Sequence, residues 1–403
     1  MARELVALKK VVELLPIEGA DNIELAHVEN TAWNLIVRKG DFKIGDIGLL
    51  FEIDSAIEQC EPLAFMPAKK RYCPQKGTDI QVHIIKTKLL RGVVSQGLLM
   101  KPELFGLKNK SSYDAEQLRM ILHVHHIDDL MNHAANTHTG NTNNGVELLP
   151  LLGFVPVTDQ KRIESDTSMF EKYKDRKFSV ELKADGSSMS VFYVDKDIYP
   201  TQFGVTSHRR FIKRIQRPWY DVSAVSGKLN KLCALCKKAV MHVLHKDKPV
   251  YLPTNNQFIL KAEELNLEQL FKVVYDRTHR NLVYQGELIG PGIQSNRDSR
   301  SKSHWLLFDI YDVDERRYMT PGEKHNFYYA YLFPYVEHVK VISRERQVLS
   351  EFPNADAMQE LATVKTHKGN LAEGIVVKSE DMPYVSFKCV SRKYLLTGGH
   401  RDN

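Results

Sequence analysis

The chain is predicted to be an α+β protein: an N-terminal β-barrel of the OB type, then a domain of two antiparallel sheets flanked by helices around a cleft. Three observations predict it. The first hundred or so residues carry several short apolar runs rich in β formers, separated by tight turns. Beyond residue 150 such runs alternate with apolar residues at helical spacing. Between the two lies 132–144, an Asn/Thr/His/Gly stretch that has almost nothing to bury and cannot offset its ordering entropy. The expected division is therefore a barrel over 1–110, a helix and flexible linker over 111–150, and a second domain over 151–403.

In the barrel, strands are expected at 23–28, 33–37 and 47–53, with Lys39-Gly40-Asp41 and Ile44-Gly45-Asp46 as turns. Two more follow over 81–90 and 93–100, split by Arg91-Gly92. Strand count alone fits an SH3-like barrel equally well. A helix is expected from Ser112, capped by Ser111 or Ser112, with Leu118, Ile121 and Leu122 on its apolar face. His123, His125, His126, His133 and His138 are scattered across this helix and tail, which favours solvated surface over a metal site. In the last domain strands are expected at 178–182, 283–288, 305–311, 374–378 and 385–390. A helix over 263–275 places Leu267, Leu270, Phe271 and Val274 on one face.

Length and composition agree with two soluble domains: 403 residues, 43% hydrophobic and 26% charged. The net charge of +6 leans toward a polyanionic partner. No apolar run approaches the ~20 residues that span a bilayer, and no signal peptide opens the chain, so an intracellular, soluble protein of cytoplasm or nucleus is expected, without a membrane partner and as a monomer. Five cysteines, odd in number and irregularly spaced, argue against a disulfide framework. Cys233-Ala234-Leu235-Cys236 has zinc-like spacing but lacks a second pair, and falls in a helix expected over 227–244.

The chemistry concentrates at Lys183-Ala184-Asp185-Gly186-Ser187-Ser188, directly behind a strand. The lysine stands at a strand end with a carboxylate two residues on and a turn of small residues, the company that an attacking lysine needs. Alone, Lys-x-Asp-Gly is a common turn. Downstream, however, Glu287, Glu373 and Lys388 each interrupt apolar strand pattern. Arg209 to Arg217 is the densest basic patch; as a helix it would put Arg210, Lys213, Arg214 and Arg217 on one face, opposite Phe211 and Ile215. Residues 295–302 form a second basic loop.

The ordered set Lys183-Ala184-Asp185-Gly186, Gly286-Glu287-Leu288-Ile289-Gly290, residues 305–311, Glu373-Gly374-Ile375-Val376-Val377 and Phe387-Lys388 resembles the covalent nucleotidyltransferases, the polynucleotide ligases and mRNA capping enzymes. With an N-terminal OB-like domain, it looks most like the RNA ligases of the Naegleria/Deinococcus type. The resemblance covers 150–400 motif by motif and the barrel loosely; the 227–254 insertion has no counterpart. It implies an ATP-grasp-like ligase fold and an enzyme that uses ATP with Mg2+ or Mn2+ to join RNA 3′-hydroxyl and 5′-phosphate ends, at RNA or RNA–DNA nicks.

That resemblance assigns roles. Lys183 becomes the nucleophile that carries AMP, with Glu287, Glu373 and Lys388 catalytic. Asp185, Glu287 and Glu373 hold the metal, through its waters. Phe308, by stacking on adenine, Lys388 and the two glutamates contact the nucleotide, with Arg209 in a register that Arg210 fits as well; Glu181 either reads the base or simply ends its strand. Chemistry adds a demand: a lysine of pKa ~10.4 is nucleophilic in only about one molecule in a thousand at neutral pH, and gaining three units takes about 4 kcal/mol from a metal or cationic neighbours. The last motif departs from the family by one lysine, which Lys378 or Lys393 could replace. The other readings are a capping guanylyltransferase, which carries its OB domain after the catalytic one, and a non-catalytic OB-containing nucleic-acid binder.

Overall fold

The computed structural model describes residues 4–107, 113–132, 145–218, 249–294, 296 and 298–397. Cys233 and Cys236, the helix expected over 227–244, Ser111, Ser112, His133, His138, Ser295, Arg297 and most of the 132–144 stretch lie outside them, as does the Arg217 side chain.

Two five-stranded antiparallel sheets form the N-terminal part. One orders Leu98–Met100, Ile47–Phe51, Val6–Pro16, Ile23–Val28 and Leu35–Arg38. The other orders Val124–His126, Ser55–Glu58, Thr78–Ile84, Ala68–Cys73 and Met131–Asn132. Val6, Leu49 and Phe51 of the first meet Ile57 and Val124 of the second in one core. The longest strand, Val6–Pro16, was not among the expected ones: Lys9 and Lys10 break its alternation, and it is held by neighbours on both sides, with a bulge between Val11 and Glu13. The linker helix is Ala115–Ile121, and its N-cap is Asp114 rather than a serine. The Asp114 carboxylate accepts from Gln117 N, while the Gln117 side chain accepts from Asp114 N. Leu118 is buried, but Ile121 is half exposed.

The expectation of solvated histidines is corrected at His125 and His126. Both lie on a strand paired with Ser55–Glu58. His125 Nε2 is 2.9 Å from Glu58, and His126 is buried. Among the described residues no cluster of three metal-ligating side chains occurs, and no helix is long and apolar enough to cross a membrane.

An eight-stranded and a four-stranded sheet form the C-terminal part. The larger runs Val146–Pro150, Arg210–Arg214, Phe203–Ser207, Ser187–Tyr193, Leu282–Ile289, His304–Asp312 and Arg317–Tyr318, with Glu337–His338 added in parallel to His304–Asp312. The smaller runs Val341–Arg346, Phe178–Lys183, Gly374–Ser379 and Ser386–Val390. The expected helix over 263–275 is two helices, Gln257–Glu264 and Leu267–Thr278, broken where Asn266 turns left-handed at φ 48. Their apolar faces cover one side of the large sheet, with Phe271 stacked on Tyr284 at 3.7 Å. Ala355–Ala362 covers the small sheet in the same way.

The two parts are joined by more than the chain. Ala32 N donates to Glu164 O at 2.8 Å and Thr167 N to Asn30 O at 3.0 Å. Nearby, the Arg162 guanidinium rests 5.8 Å from the Trp33 ring centroid.

The basic segment after Arg209 is not helical. Arg210–Arg214 is a strand between Phe203–Ser207 and Val146–Pro150, and Gln216–Pro218 pairs with Pro249–Tyr251. Alternation puts Lys213 opposite Arg210 and Arg214, so the four cations do not share one face. Partner strands overrode a charge spacing that fits a helix equally well.

Candidate active site

The chain crosses from the small sheet to the large one at the turn between Phe178–Lys183 and Ser187–Tyr193. That crossing puts Lys183 on the floor of a cleft of about 870 Å³ between the sheets. Lys183 Cα pairs with Gly374, so Glu373 lies one residue beyond the pairing. Lys183 Nζ donates to Glu373 Oε2 at 2.6 Å, and Glu373 is itself buried. Ser188 pairs with Glu287 across the neighbouring strands, which brings the second glutamate to the same end. Asp185 accepts from the Tyr394 hydroxyl at 2.6 Å. Three motifs far apart in sequence, at Lys183 to Asp185, Glu287 and Glu373, therefore meet around one amine.

Gly186 is required by a close approach. A Cβ there would meet Leu288 O at 2.3 Å and Glu287 Cγ at 3.0 Å. Gly186→Ala is expected to lever Asp185 away from Glu287 and cut adenylylation by about tenfold or more while leaving the fold intact, measured by labelling rate beside circular dichroism.

Charge at the site is unbalanced, with three carboxylates around one ammonium. Burial pushes the Glu287 carboxyl up to about 8, aided by Glu373 and Asp185 and only partly opposed by Lys183. For Lys183, burial favours the neutral amine, but Glu373, Glu287 and Asp185 outweigh it and raise the pKa. The free protein thus holds Lys183 as ammonium, opposite to the lowering that an attacking amine would require. A divalent cation fits this surplus of negative charge, and with no three ligating groups converging directly among the described residues it would bind the acids through water. Asp185, Glu287 and Glu373 are the carboxylates around Lys183 that could hold it.

Phe308 lies opposite the core-facing Trp305 and Leu307 on its strand, at a bulge. Gln285 pairs with Asp309 and Gly286 with Leu307, leaving Phe308 as the extra residue, and it lines the cleft. Gly286 permits this register, since a Cβ there would meet Trp305 Nε1 at 2.4 Å. Val376, from the small sheet, also lines the cleft. It was not among the expected site residues, because a valine inside Gly-Ile-Val-Val reads as core.

Glu181 and Lys378 belong to a buried ion cluster. Lys378 Nζ donates to Glu181 Oε2 and Asp309 Oδ1, both at 2.8 Å, and to Phe308 O at 2.6 Å. Lys324 Nζ also donates to Glu181 and to Phe308 O. Burial opposes ionisation of Glu181, yet Lys324 and Lys378 bring it down to about 2. The positive charge of Lys378 is thus already engaged beneath Phe308, which weakens it as the missing triphosphate lysine. Lys393 is exposed on the helix Arg392–Leu396.

Lys388 pairs across the sheet with Val376, faces the cleft and lies 3.3 Å from Asp159 Oδ1. Arg209 also lines the cleft, with Nη1 donating to Asp129 Oδ1 at 2.6 Å. Arg210 borders the cleft as well. Arg214 is turned away: it bonds Glu263 and Leu252 O, and stacks on Tyr251 at 4.8 Å. Lys213 is exposed.

The RNA ligase family profile matches residues 176–390, and an OB-fold domain profile matches 5–102. No curated protein matches the chain. Among solved structures, Naegleria gruberi RNA ligase with PPi is 26% identical, with TM-score 0.70 and 100% of both chains covered. A point mutant of the same ligase with AMP and Mn gives the same values. Another mutant, with ATP and Mn, is 26% identical with TM-score 0.68 over 99% of each chain. With the profile spanning more than half of the sequence, and with Asp185, Glu287 and Glu373 gathered at Lys183, the chain belongs to the RNA ligase family.

Proposed function

We propose that the protein is an ATP-dependent RNA ligase that seals 3′-hydroxyl and 5′-phosphate ends through a lysyl-AMP intermediate. The observation that carries this reading is Lys183 held 2.6 Å from Glu373 in a cleft walled by Phe308 and Val376. Lys183 Nζ attacks the α-phosphorus of ATP. A P–N bond forms, the α–β P–O bond breaks, pyrophosphate leaves and the amine proton passes to solvent. An oxygen of the RNA 5′-phosphate then displaces the lysine and takes the AMP. Finally the 3′-hydroxyl attacks that 5′-phosphorus and AMP departs.

Phe308 and Val376 clamp the adenine, while Lys388 and Arg209 neutralise phosphate oxygens. Asp185, Glu287 and Glu373 would hold a Mg2+ or Mn2+ ion, whose positive charge would favour the neutral, attacking form of the Lys183 amine. In this reading the chain divides into a nucleic-acid-binding barrel (1–110), a connecting stretch (111–150) whose strands at 124–126 and 131–132 pair back onto the barrel, and an adenylyltransferase domain (151–403). Arg210 and Lys213 contact the RNA. Arg214, committed to Glu263, stabilises the fold instead. The protein acts as a monomer.

Duplexes with ribose or deoxyribose at each nick terminus test the substrate. Sealing is expected where the 3′-hydroxyl end is RNA and should fall by about a hundredfold where it is DNA, since the 2′-hydroxyl distinguishes the two. Equal rates on all-DNA nicks would reassign the enzyme.

A further inference from the structure

Two contacts run from the turn that leaves the barrel into the cleft. His126 is fixed to the barrel by the strand ladder, opposite Ser55. Its Nδ1 accepts from Asp128 N at 3.2 Å, so the neutral ring carries its proton on Nε2. Nε2 lies 3.5 Å from Asp159 Oδ2, and Asp159 Oδ1 lies 3.3 Å from Lys388 Nζ. Three residues after His126, Asp129 Oδ1 accepts from Arg209 Nη1 at 2.6 Å. Residues beside Asp159 run along the Lys388 strand: Lys388 N donates to Lys161 O at 2.8 Å. The cluster is largely shielded from water, with Asp159 and Arg209 side chains 20% and 22% exposed.

We propose that His126 and Asp129 are positioning residues: the turn leaving the barrel sets, through Asp159 and directly, the two cations that receive the phosphates of ATP. The inference rests on the reading of the cleft as an ATP site. Its physical basis is that long lysine and arginine side chains carry much rotamer entropy, and an anchored anion removes it before the ligand arrives. Asp159 alone would hang on a loop. The His126 ring ties it to a sheet, and so links the barrel that would carry the RNA strand to the phosphate site. Neither residue belongs to a sequence motif, because the linkage exists only across the two parts of the fold.

Full-length His126→Ala, His126→Gln and Asp129→Asn proteins test this, with two readouts: ATP KM and kcat for lysine labelling, and calorimetric affinity for inorganic tripolyphosphate. His126→Ala and Asp129→Asn are expected to raise KM about tenfold with kcat within about twofold, and to weaken tripolyphosphate by about tenfold. His126→Gln, which keeps an N–H toward Asp159, restores most of the loss. Unchanged KM and tripolyphosphate affinity in a wild-type background that labels normally would overturn the proposal and leave the ligase reading intact. So would a fall in kcat that follows melting temperature at constant KM. If the wild type takes no label from ATP, the ligase reading fails, and tripolyphosphate still decides the linkage. Weaker binding by the variants supports it; equal binding, or none by the wild type, removes it.

Discussion

Lys183→Ala is expected to bring transfer of label from α-phosphate-labelled ATP to background, a loss of about a thousandfold or more, since no substitute nucleophile is in place. Lys378 is locked to Glu181 and Asp309 in a buried cluster, and Lys388 lies at Asp159. The alanine protein also leaves Glu373 buried beside Glu287 and Asp185 without its ammonium, so some loss of stability accompanies the loss of label. Lys183→Arg separates the two effects. It keeps a cation against Glu373 but offers a guanidinium that stays protonated, so stability returns and labelling does not. Labelling of both variants at wild-type yield, with the adduct mapped elsewhere, would dismiss Lys183 as the AMP carrier. GTP in place of ATP tests the capping alternative in the same assay.

The second large effect is electrostatic. Without a divalent ion, Glu287 stays protonated up to about 8, against an ordinary carboxyl value of ~4.3. A carboxyl whose folded pKa lies above its unfolded one stabilises the native state fully below the unfolded value, and that contribution disappears as pH rises through the folded value. Chelated protein is therefore expected to lose stability, on the order of 3 kcal/mol, as pH rises from about 4.5 to 8. Glu287→Gln, which cannot ionise, should lack this loss, so the difference between the two urea-unfolding curves isolates it from other titrating groups. Excess Mg2+ or Mn2+ should flatten the wild-type curve and release about one proton per site at neutral pH. Parallel curves for wild type and Glu287→Gln across this range would rule out the crowded acid site described above.

Much of this was legible in the chain. The strand Leu282–Ile289 was expected over 283–288 and Gly374–Ser379 over 374–378, because apolar β-branched runs bounded by turn residues have few alternatives. Lys183 stood out at a strand end and Glu287 and Glu373 by interrupting apolar pattern, while it was the family resemblance, not spacing, that singled out Asp185 and the two glutamates. Elements whose partners decide them were less readable. Val6–Pro16 needs two neighbouring strands to be a strand, and Arg210–Arg214 is extended because its backbone hydrogen bonds are satisfied on both sides. The role of Glu181 was open for the same reason, until Lys324 and Lys378 met it from 143 and 197 residues away.

By itself the sequence determined which residue types could do the chemistry and in what order they lie, since a nucleophile, its acids and a strand pattern are local properties. Only the tertiary structure decided their electrical state and their partners. Burial and charge crowding raise Glu287, the crowded acids hold Lys183 as ammonium against its burial, Phe308 lines the cleft, and Asp159 and Asp129 fall beside Lys388 and Arg209. Interaction energies of this kind depend on distance through space and on exclusion of water, and neither is written in the spacing of residues along a chain.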